Sequence, residues 1–222
     1  MLAVSDRPID LGGIGDSRLS HTRLSLAAKR GLDIVGAVAG LVILSPVLLG
    51  TAVAIAVVDG RPVLFRQPRA GQGGAPFLIA KFRTMGRDAD AQRAALREQN
   101  EVAGGASFKM TNDPRVTRLG RILRKTSIDE LPQLWNVLRG EMSLVGPRPH
   151  PFDDLEGYED WHFRRLSVKP GITGLWQVSG RGDADFDRWT RLDLEYIDRW
   201  SLMLDLKIML RTIPAVLKAG GR

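Results

Sequence analysis

The sequence predicts a mostly helical, membrane-associated domain of the α+β class. Three observations favour this class. One strongly apolar run covers residues 32–58, two short apolar-alternating runs at 62–67 and 76–83 flank a glycine-rich stretch, and segment 186–219 has apolar residues at helical spacing. Because a 222-residue chain with 44% hydrophobic residues can bury one sizeable core, we expect one main domain with a small appendage.

Composition points to an anionic partner. The net charge of +7 and the pI near 10.2 suit nucleic acid, phosphorylated small molecules or an acidic lipid surface. The absence of cysteine excludes disulfides and zinc-thiolate sites. His21, His150 and His162 have no metal-ligand spacing, so carboxylates and phosphates would have to hold any metal, which favours magnesium or manganese.

The first 60 residues predict a leader followed by a membrane helix. Residues 1–25 show no periodicity and no apolar core of a signal peptide, so we expect a disordered leader. The apolar run 32–58 is long enough to span a bilayer, but positive residues flank it on both sides and Pro46 divides it into halves of only about 18 Å each. A kinked spanning helix and a re-entrant helix that turns at Ser45-Pro46 both remain open on these residues.

Polar residues near the apolar run should have defined partners. We expect Asp33, which is costly inside the apolar boundary, to pair with Arg30 one turn earlier. Lys29 and Arg30 would otherwise act as ordinary interfacial anchors. The hydroxyl of Ser45 is the nearest donor for the carbonyl that the proline leaves free near Leu41-Val42.

The two alternating runs read as a β-hairpin closed by a flexible turn at residues 70–74. Arg66, Arg69, Lys81 and Arg83 would crowd this hairpin with positive charge, as a phosphate-binding or a solvated face. A surface helix is expected over residues 87–102, ended by glycines at 104 and 105, with a turn at 111–114 after it.

Asp129 and Glu130 lie in the first turn of a short helix, because Pro132 prevents the helix from starting before about Ile128. Ser127 and Glu130 could form a capping box, or Asp129 itself could cap the helix, in which case the acids only satisfy the helix N-terminus. The alternative is a site for a metal and a phosphate. Basic residues precede the pair, many of them three apart, namely Arg115, Arg118, Arg121, Arg124 and Lys125.

Beyond this helix, which should stop near Gly140, residues 143–145 predict a buried strand and lead to Arg148. The prolines on either side of Arg148 fix its backbone, so its guanidinium loses little entropy on gripping a phosphate; a rigid loop with a solvent-facing arginine is the alternative. Residues 172–178 predict a strand, and a loop with Arg181 follows it.

Two C-terminal helical stretches are predicted over residues 186–219. Their aromatic and aliphatic residues recur at helical spacing and suit either the lipid headgroup level or the protein core equally. The recurring positions are Trp189, Leu192, Tyr196 and Trp200.

Long motifs spanning about residues 26–215 resemble the bacterial sugar transferases, the monotopic polyprenyl-phosphate phosphoglycosyl transferases. The longest are TSIDELPQL at 126–134 and NVLRGEMSLVGPRP at 136–149. Three further matches are Lys29-Arg30 with Asp33, KFRTM at 81–85 and KPGITGLWQV at 169–178. The chain resembles the minimal form of the family, without a several-helix membrane region ahead of residue 26.

The resemblance implies transfer of a sugar-1-phosphate from a UDP-sugar to undecaprenyl phosphate, with release of UMP. By the same resemblance, Asp129 forms a covalent phosphosugar intermediate and Glu130 ligates Mg²⁺. Arg124 matches a family arginine near the phosphate. Weaker candidates for substrate binding are Lys81, Arg83, Arg148, Gln177 and Arg181.

Because the family is monotopic, the resemblance also favours a re-entrant membrane helix over residues 26–60. It implies a cytoplasmic catalytic domain over 61–222, at the cytoplasmic face of the bacterial inner membrane and in contact with membrane lipids. Nucleic acid is disfavoured, since the basic residues form no known recognition motif. Oligomeric state, a homo-oligomer included, and the identity of the sugar stay open. A non-catalytic membrane scaffold and a magnesium-dependent nucleotide-sugar hydrolase are the rival functions.

Overall fold

The computed structural model describes residues 22–93, 96, 110, 112–179 and 185–218. Residues 1–21 of the predicted leader, most of the predicted surface helix after residue 93, the glycines at 104 and 105, and Arg181 lie outside these ranges. The helices are α1 (Arg23–Ile43), α2 (Ser45–Val58), α3 (Ala89–Arg93), α4 (Arg118–Thr126), α5 (Gln133–Arg139), α6 (Leu175–Ser179), α7 (Phe186–Asp198) and α8 (Leu202–Lys218). The strands are β1 (Leu64–Ala70), β2 (Pro76–Phe82), β3 (Ser143–Val145) and β4 (Gly171–Thr173).

Helix α1 begins at Arg23, so it includes the last residues assigned to the leader. Thr22 explains this start, because its hydroxyl accepts a hydrogen bond from the backbone N–H of Ser25 at 3.2 Å and caps the helix. The helix then runs without interruption into the apolar segment. The basic pair Lys29-Arg30 is therefore helical.

Helices α1 and α2 meet at Leu44 with a bend of 60°. Pro46 has no N–H to donate to the carbonyl of Val42, and the hydroxyl of Ser45 donates to that oxygen instead at 2.8 Å. The predicted bend and its compensating hydrogen bond are confirmed. By length and apolar content, none of the described helices could cross a bilayer alone, and only the bent pair α1–α2 passes that test together.

The outer surface of the bent pair is apolar, whereas its inner surface packs on the domain. Ala37 of α1 and Ile55 of α2 are fully buried. Gly36 and Gly40 bring α1 close to the domain, because a Cβ at either position would press on Leu144 or Leu134. The exposed apolar side chains are Ile34, Val35, Val38, Val42, Ile43, Val47, Leu49, Val53, Val57 and Val58.

The polar residues of α1 contact protein rather than an interface, and the expected Arg30–Asp33 pair is wrong. Arg30 donates to the carbonyls of Val137 and Leu138 at 2.6 and 2.7 Å, at the C-terminal end of α5, where a cation is favoured. Asp33 is buried and accepts hydrogen bonds from β3. Lys29 reaches the carboxylate of Asp205 on α8 at 2.8 Å.

Two small sheets position the loops of the site. Strands β1 and β2 form the predicted antiparallel hairpin, with Leu64 opposite Phe82 and Ala70 opposite Pro76. Strands β3 and β4 pair in parallel, with Ser143 opposite Gly171. Residues 143–145 are thus a buried strand, as predicted, and α5 stops at Gly140, whose φ of 81° suits glycine.

The predicted strand over residues 172–178 is wrong beyond Thr173, because the chain turns into helix α6. Leu175 and Val178, three residues apart, both pack against the cluster around Tyr196 and Ile197, which a strand of alternating faces could not achieve. A short apolar run does not distinguish a strand from a helix.

The apolar residues of the two C-terminal helices are expected to face either the protein core or the lipid headgroup level. On α7, Trp189 and Tyr196 are buried, so this stripe faces the core. On α8, Ile208 faces the core while one side of the helix stays exposed and apolar. That exposed stripe consists of Met203, Leu206, Leu210, Ile213 and Leu217.

Candidate active site

Ser127 has a left-handed backbone conformation, which places Asp129 and Glu130 at the junction between α4 and α5. Ser127 has φ 56° and ψ 17°, which ends α4 and starts a single 3-10 turn over Ile128–Glu130. This conformation costs about 1–3 kcal/mol for a residue with a side chain. The Ser127 side chain makes no capping hydrogen bond, so the capping-box alternative is wrong. The two acids are free for other partners.

Glu130 is held by two cations from distant parts of the chain. Lys81 Nζ lies 2.8 Å from Glu130 Oε1, and Arg148 Nη2 lies 2.6 Å from the same oxygen. Arg148 Nη1 also donates to Oε2 at 3.3 Å. Burial alone raises the pKa of a carboxyl group, but Arg148 and Lys81 outweigh it and hold the pKa of Glu130 below its ordinary value.

Asp129 lies beside this pair in a different state. It is 9% exposed, and within the described residues no donor forms a hydrogen bond with its carboxylate. Burial, with the negative charge of Glu130 second, raises the pKa of Asp129 to about 6, against the opposing effect of Lys81, Arg124 and Arg148. Two adjacent carboxylates with diverging pKa values are typical of a catalytic pair.

Thr84, which lies just after the end of β2, orients Arg124. Its Nε donates to the hydroxyl of buried Thr84 at 2.9 Å, and the N–H of Thr117 donates to the Thr84 carbonyl at 3.0 Å. Gly120 allows this approach, because a Cβ there would overlap the Thr84 carbonyl. Partial burial lowers the pKa of Arg124 and the charge of Asp129 opposes this shift, so Arg124 lies within electrostatic reach of the acids.

Arg115 does not share this basic face. It precedes α4 and is buried in an ion pair with Asp113, with Nη2 2.7 Å from Oδ2. All four basic residues of α4 itself are exposed, namely Arg118, Arg121, Arg124 and Lys125.

Asn136 is a site-building residue that the sequence analysis missed. Its amide fills the free edge of β2, accepting from Ala80 N at 3.0 Å and donating to Leu78 O at 2.8 Å. This contact aligns the strand that holds Lys81 with the helix that follows Glu130. The signal available in the sequence was an asparagine inside the apolar stretch 134–138.

The structure gives two of the predicted substrate-binding residues other partners. Arg83 is buried and donates through Nη2 to the carbonyls of Asp59 and Gly60, both at 2.6 Å, where α2 ends. Gln177 lies on α6, buried, and donates to the Ile172 carbonyl at 3.1 Å. A surface depression around Trp161 and Arg191 contains none of the predicted site residues.

The geometry thus unites Asp129, Glu130, Lys81, Arg148 and Arg124. With this arrangement in view, comparison with known proteins shows that residues 24–219 match the family model described as bacterial sugar transferase. The chain belongs to this family.

Named relatives of this bacterial sugar transferase agree with that assignment. It is 49% identical over 197 residues to galactosyl transferase CpsE of Streptococcus agalactiae, a match covering 88% of this chain and 43% of the relative. It is 43% identical over 202 residues to the undecaprenyl-phosphate galactose phosphotransferase of Salmonella typhimurium, covering 90% of this chain and 42% of the relative. The chain therefore spans less than half the length of these two relatives.

A third relative is matched over most of its length. The UDP-glucose:undecaprenyl-phosphate glucose-1-phosphate transferase of Caulobacter vibrioides is 42% identical over 233 residues, covering 96% of this chain and 81% of the relative.

The carboxylates of this sugar transferase suit one kind of metal site. Among the described residues no three His, Cys, Asp or Glu side chains are grouped as a metal cage. Two adjacent carboxylates remain, and Mg²⁺ is commonly bound by one or two carboxylates together with substrate phosphates and water. These carboxylates are the donors that could hold Mg²⁺ jointly with a phosphorylated substrate, and at Glu130 the ion would share oxygens that already contact Lys81 and Arg148.

Proposed function

We propose that this chain is a phosphoglycosyl transferase that moves a sugar-1-phosphate from a UDP-sugar to undecaprenyl phosphate and releases UMP. This would be the first membrane step of exopolysaccharide, capsule or O-antigen synthesis. Family membership and the names of the relatives support the reaction class. The observation that supports it most is a contrast between neighbours that lie near the same cations. The carboxylate of Glu130 forms ion pairs, whereas that of Asp129 accepts no hydrogen bond from the described residues.

In the first step, a carboxylate oxygen of Asp129 attacks the phosphorus that bears the sugar. The bond from that phosphorus to the UMP oxygen breaks, UMP leaves with the electron pair, and an acyl-phosphate links Asp129 to the sugar phosphate. In the second step, a phosphate oxygen of undecaprenyl phosphate attacks the same phosphorus and Asp129 leaves as a carboxylate. A nucleophile without hydrogen bonds loses no stabilising partner when it attacks.

Attack of a carboxylate on a diphosphate needs positive charge around both groups. Lys81, Arg148 and Arg124 converge on the two acids and provide it. Glu130 would hold Mg²⁺, which when bound neutralises diphosphate charge. Lys81 is partly buried, and this burial lowers its pKa, opposed by Glu130.

We further propose that α1 and α2 enter one leaflet from the cytoplasmic side of the bacterial inner membrane and return to it. The 60° bend, the satisfied Val42 carbonyl and the apolar outer surface of the pair support this arrangement. The exposed stripe on α8 would lie on the same lipid surface. The acceptor phosphate also sits at that surface, so the enzyme would find it by lateral diffusion.

Single cysteines test the topology cleanly, because the chain has none of its own. Arg23, the first residue of α1, and Arg66, which follows α2, are exposed positions for Arg23→Cys and Arg66→Cys. In a re-entrant arrangement an impermeant maleimide labels both in inside-out vesicles and neither in intact cells. Labelling of the two positions from opposite sides would show a spanning helix and overturn the re-entrant proposal.

The covalent step is tested by incubating the purified enzyme with a panel of UDP-sugars and Mg²⁺, without lipid. Intact-protein mass spectrometry should show one added sugar phosphate, mapped to Asp129, and UMP release should stop after a single turnover. Addition of undecaprenyl phosphate should restore turnover. UMP release that continues without lipid would indicate a hydrolase instead, and absence of any adduct with every sugar would contradict the covalent mechanism.

A further inference from the structure

The loop that presents Arg148 is held from inside by its carbonyl groups. Pro147 and Pro149 have no N–H, so the backbone of this loop forms hydrogen bonds mainly through its carbonyl groups. Arg165 Nη2 donates to the carbonyl of Arg148 at 3.2 Å, and Arg69 Nη1 donates to that of Pro149 at 3.1 Å. The next carbonyl, of His150, accepts from Ala70 N at 3.2 Å. Three successive carbonyls are thus fixed.

Arg165 is itself locked in place. It is 3% exposed, and its Nε and Nη2 donate to Asp193 Oδ2 at 2.9 and 2.6 Å. Its Nη1 donates to the hydroxyl of Tyr158 at 2.9 Å. A planar guanidinium with three kinds of partner has a single orientation, and that orientation aims one N–H at the Arg148 carbonyl.

We propose that Arg165 is a positioning residue for the transfer reaction. By gripping the Arg148 backbone, it sets where the Arg148 guanidinium meets Glu130 and the donor diphosphate. This inference rests on the proposed function for its kinetic consequence, although the structural coupling it predicts does not. Arg165 touches no reacting atom in this arrangement.

The informative variant is Arg165→Lys, which keeps a positive charge beside Asp193 but cannot reach Asp193, Tyr158 and the Arg148 carbonyl together. Tyr158→Phe is the matched control, because it removes a buried hydrogen bond from the same guanidinium and leaves the Arg148 contact intact. Both variants should fold, since neither leaves Asp193 without a cation.

The kinetic readout is covalent loading by the donor alone, resolved into amplitude and rate constant. Arg165→Lys should retain the full amplitude but load roughly 10- to 100-fold more slowly, as expected for a small displacement of a catalytic group. Tyr158→Phe should load at close to the wild-type rate. A reduced amplitude with an unchanged rate constant, or equal slowing in both variants, would mean that Arg165 only supports the fold.

A second measurement does not depend on the reaction. Melting temperatures of wild type, Arg165→Lys, Glu130→Gln and the double variant form a cycle that reports coupling through Arg148. We expect the decreases in melting temperature caused by Arg165→Lys and Glu130→Gln to be non-additive. The decreases caused by Tyr158→Phe and Glu130→Gln should be additive. Additive losses for Arg165→Lys would overturn the positioning role. If wild type forms no adduct while the first cycle is non-additive, the proposed function fails and the positioning of Arg148 stands.

Discussion

Among the clusters of carboxylates and cations in the described part of the molecule, two differ clearly in how completely the carboxylates are satisfied. In the cluster between α1, β3 and α8, Asp205 contacts Lys29 at 2.8 Å and accepts from Tyr196 and Trp200 at 2.8 and 3.1 Å. Asp33 accepts from Ser143 Oγ and Leu144 N, both at 2.9 Å. In the active site, Glu130 is similarly held, but its neighbour Asp129 is not.

This difference is consistent with the proposed roles, in which Asp33 and Asp205 are structural and Asp129 is the reactive acid. Donors that surround Asp33 and Asp205 stabilise their charge and fix α1 against the domain. Asp129 has charge without hydrogen bonds, which is costly for folding and leaves its oxygens available for attack. Both clusters contain acidic residues that stand out in the sequence, but the count of donors tells their roles apart.

The largest effect should come from removing the carboxylate of Asp129. Asp129→Asn should reduce sugar-phosphate transfer roughly thousandfold or more, because the amide cannot form the acyl-phosphate. The measurement is UMP release and product formation with undecaprenyl phosphate present. Residual activity within tenfold of wild type would contradict the nucleophile assignment, and absence of transfer by the wild type itself would favour the non-catalytic scaffold.

Removing the charge of Asp205 should instead act on the fold. Asp205→Asn leaves Lys29 without its close counter-ion and should lower the free energy of unfolding by about 3 kcal/mol, in the range measured for broken buried ion pairs. Thermal unfolding in detergent checks this, with Asp198→Asn as an exposed control. Transfer per folded molecule should stay near wild type, and a transfer defect without loss of stability would contradict the structural role.

Local signals in the sequence predicted the hairpin, the bend at Ser45-Pro46 and the end of α5 at Gly140, since each depends on residues a few positions apart. The catalytic residues of the site came mainly from the family resemblance. Contacts between distant segments could not be read locally, and this explains the missed roles of Asn136 and Arg165. The wrong partner for Asp33 has the same origin, because an adjacent arginine was visible and the donors of β3 were not.

A smaller effect should appear in the stability of the active site itself. The folded-state pKa of Asp129, raised to about 6, exceeds its ordinary value of 3.8, so its ionised form destabilises the folded state above pH 6. Asp129→Asn should therefore raise the free energy of unfolding near pH 7.5, by at most about 3 kcal/mol. The gain should shrink as pH falls from 6 to 4, where both states become protonated. Melting temperatures without Mg²⁺ across this range test it, and a gain independent of pH would show that ionisation is not the cause.

The smallest effect should come from the bend between α1 and α2. Ser45→Ala removes the donor to the Val42 carbonyl and should lower the free energy of unfolding by about 1 kcal/mol, while Pro46 keeps the helices bent.

Pro46→Ala restores the N–H that Val42 lacks, so it should favour a straighter helix and shift the labelling of Arg23→Cys toward the opposite side. Thermal unfolding of the first variant and cysteine labelling of the second measure the two effects. A shift of the Arg23→Cys label requires the contacts of Lys29, Arg30 and Asp33 with the domain to break, so the labelling weighs the bend against those contacts. Unchanged labelling in Pro46→Ala would show that packing on the domain, rather than the proline, sets the bend.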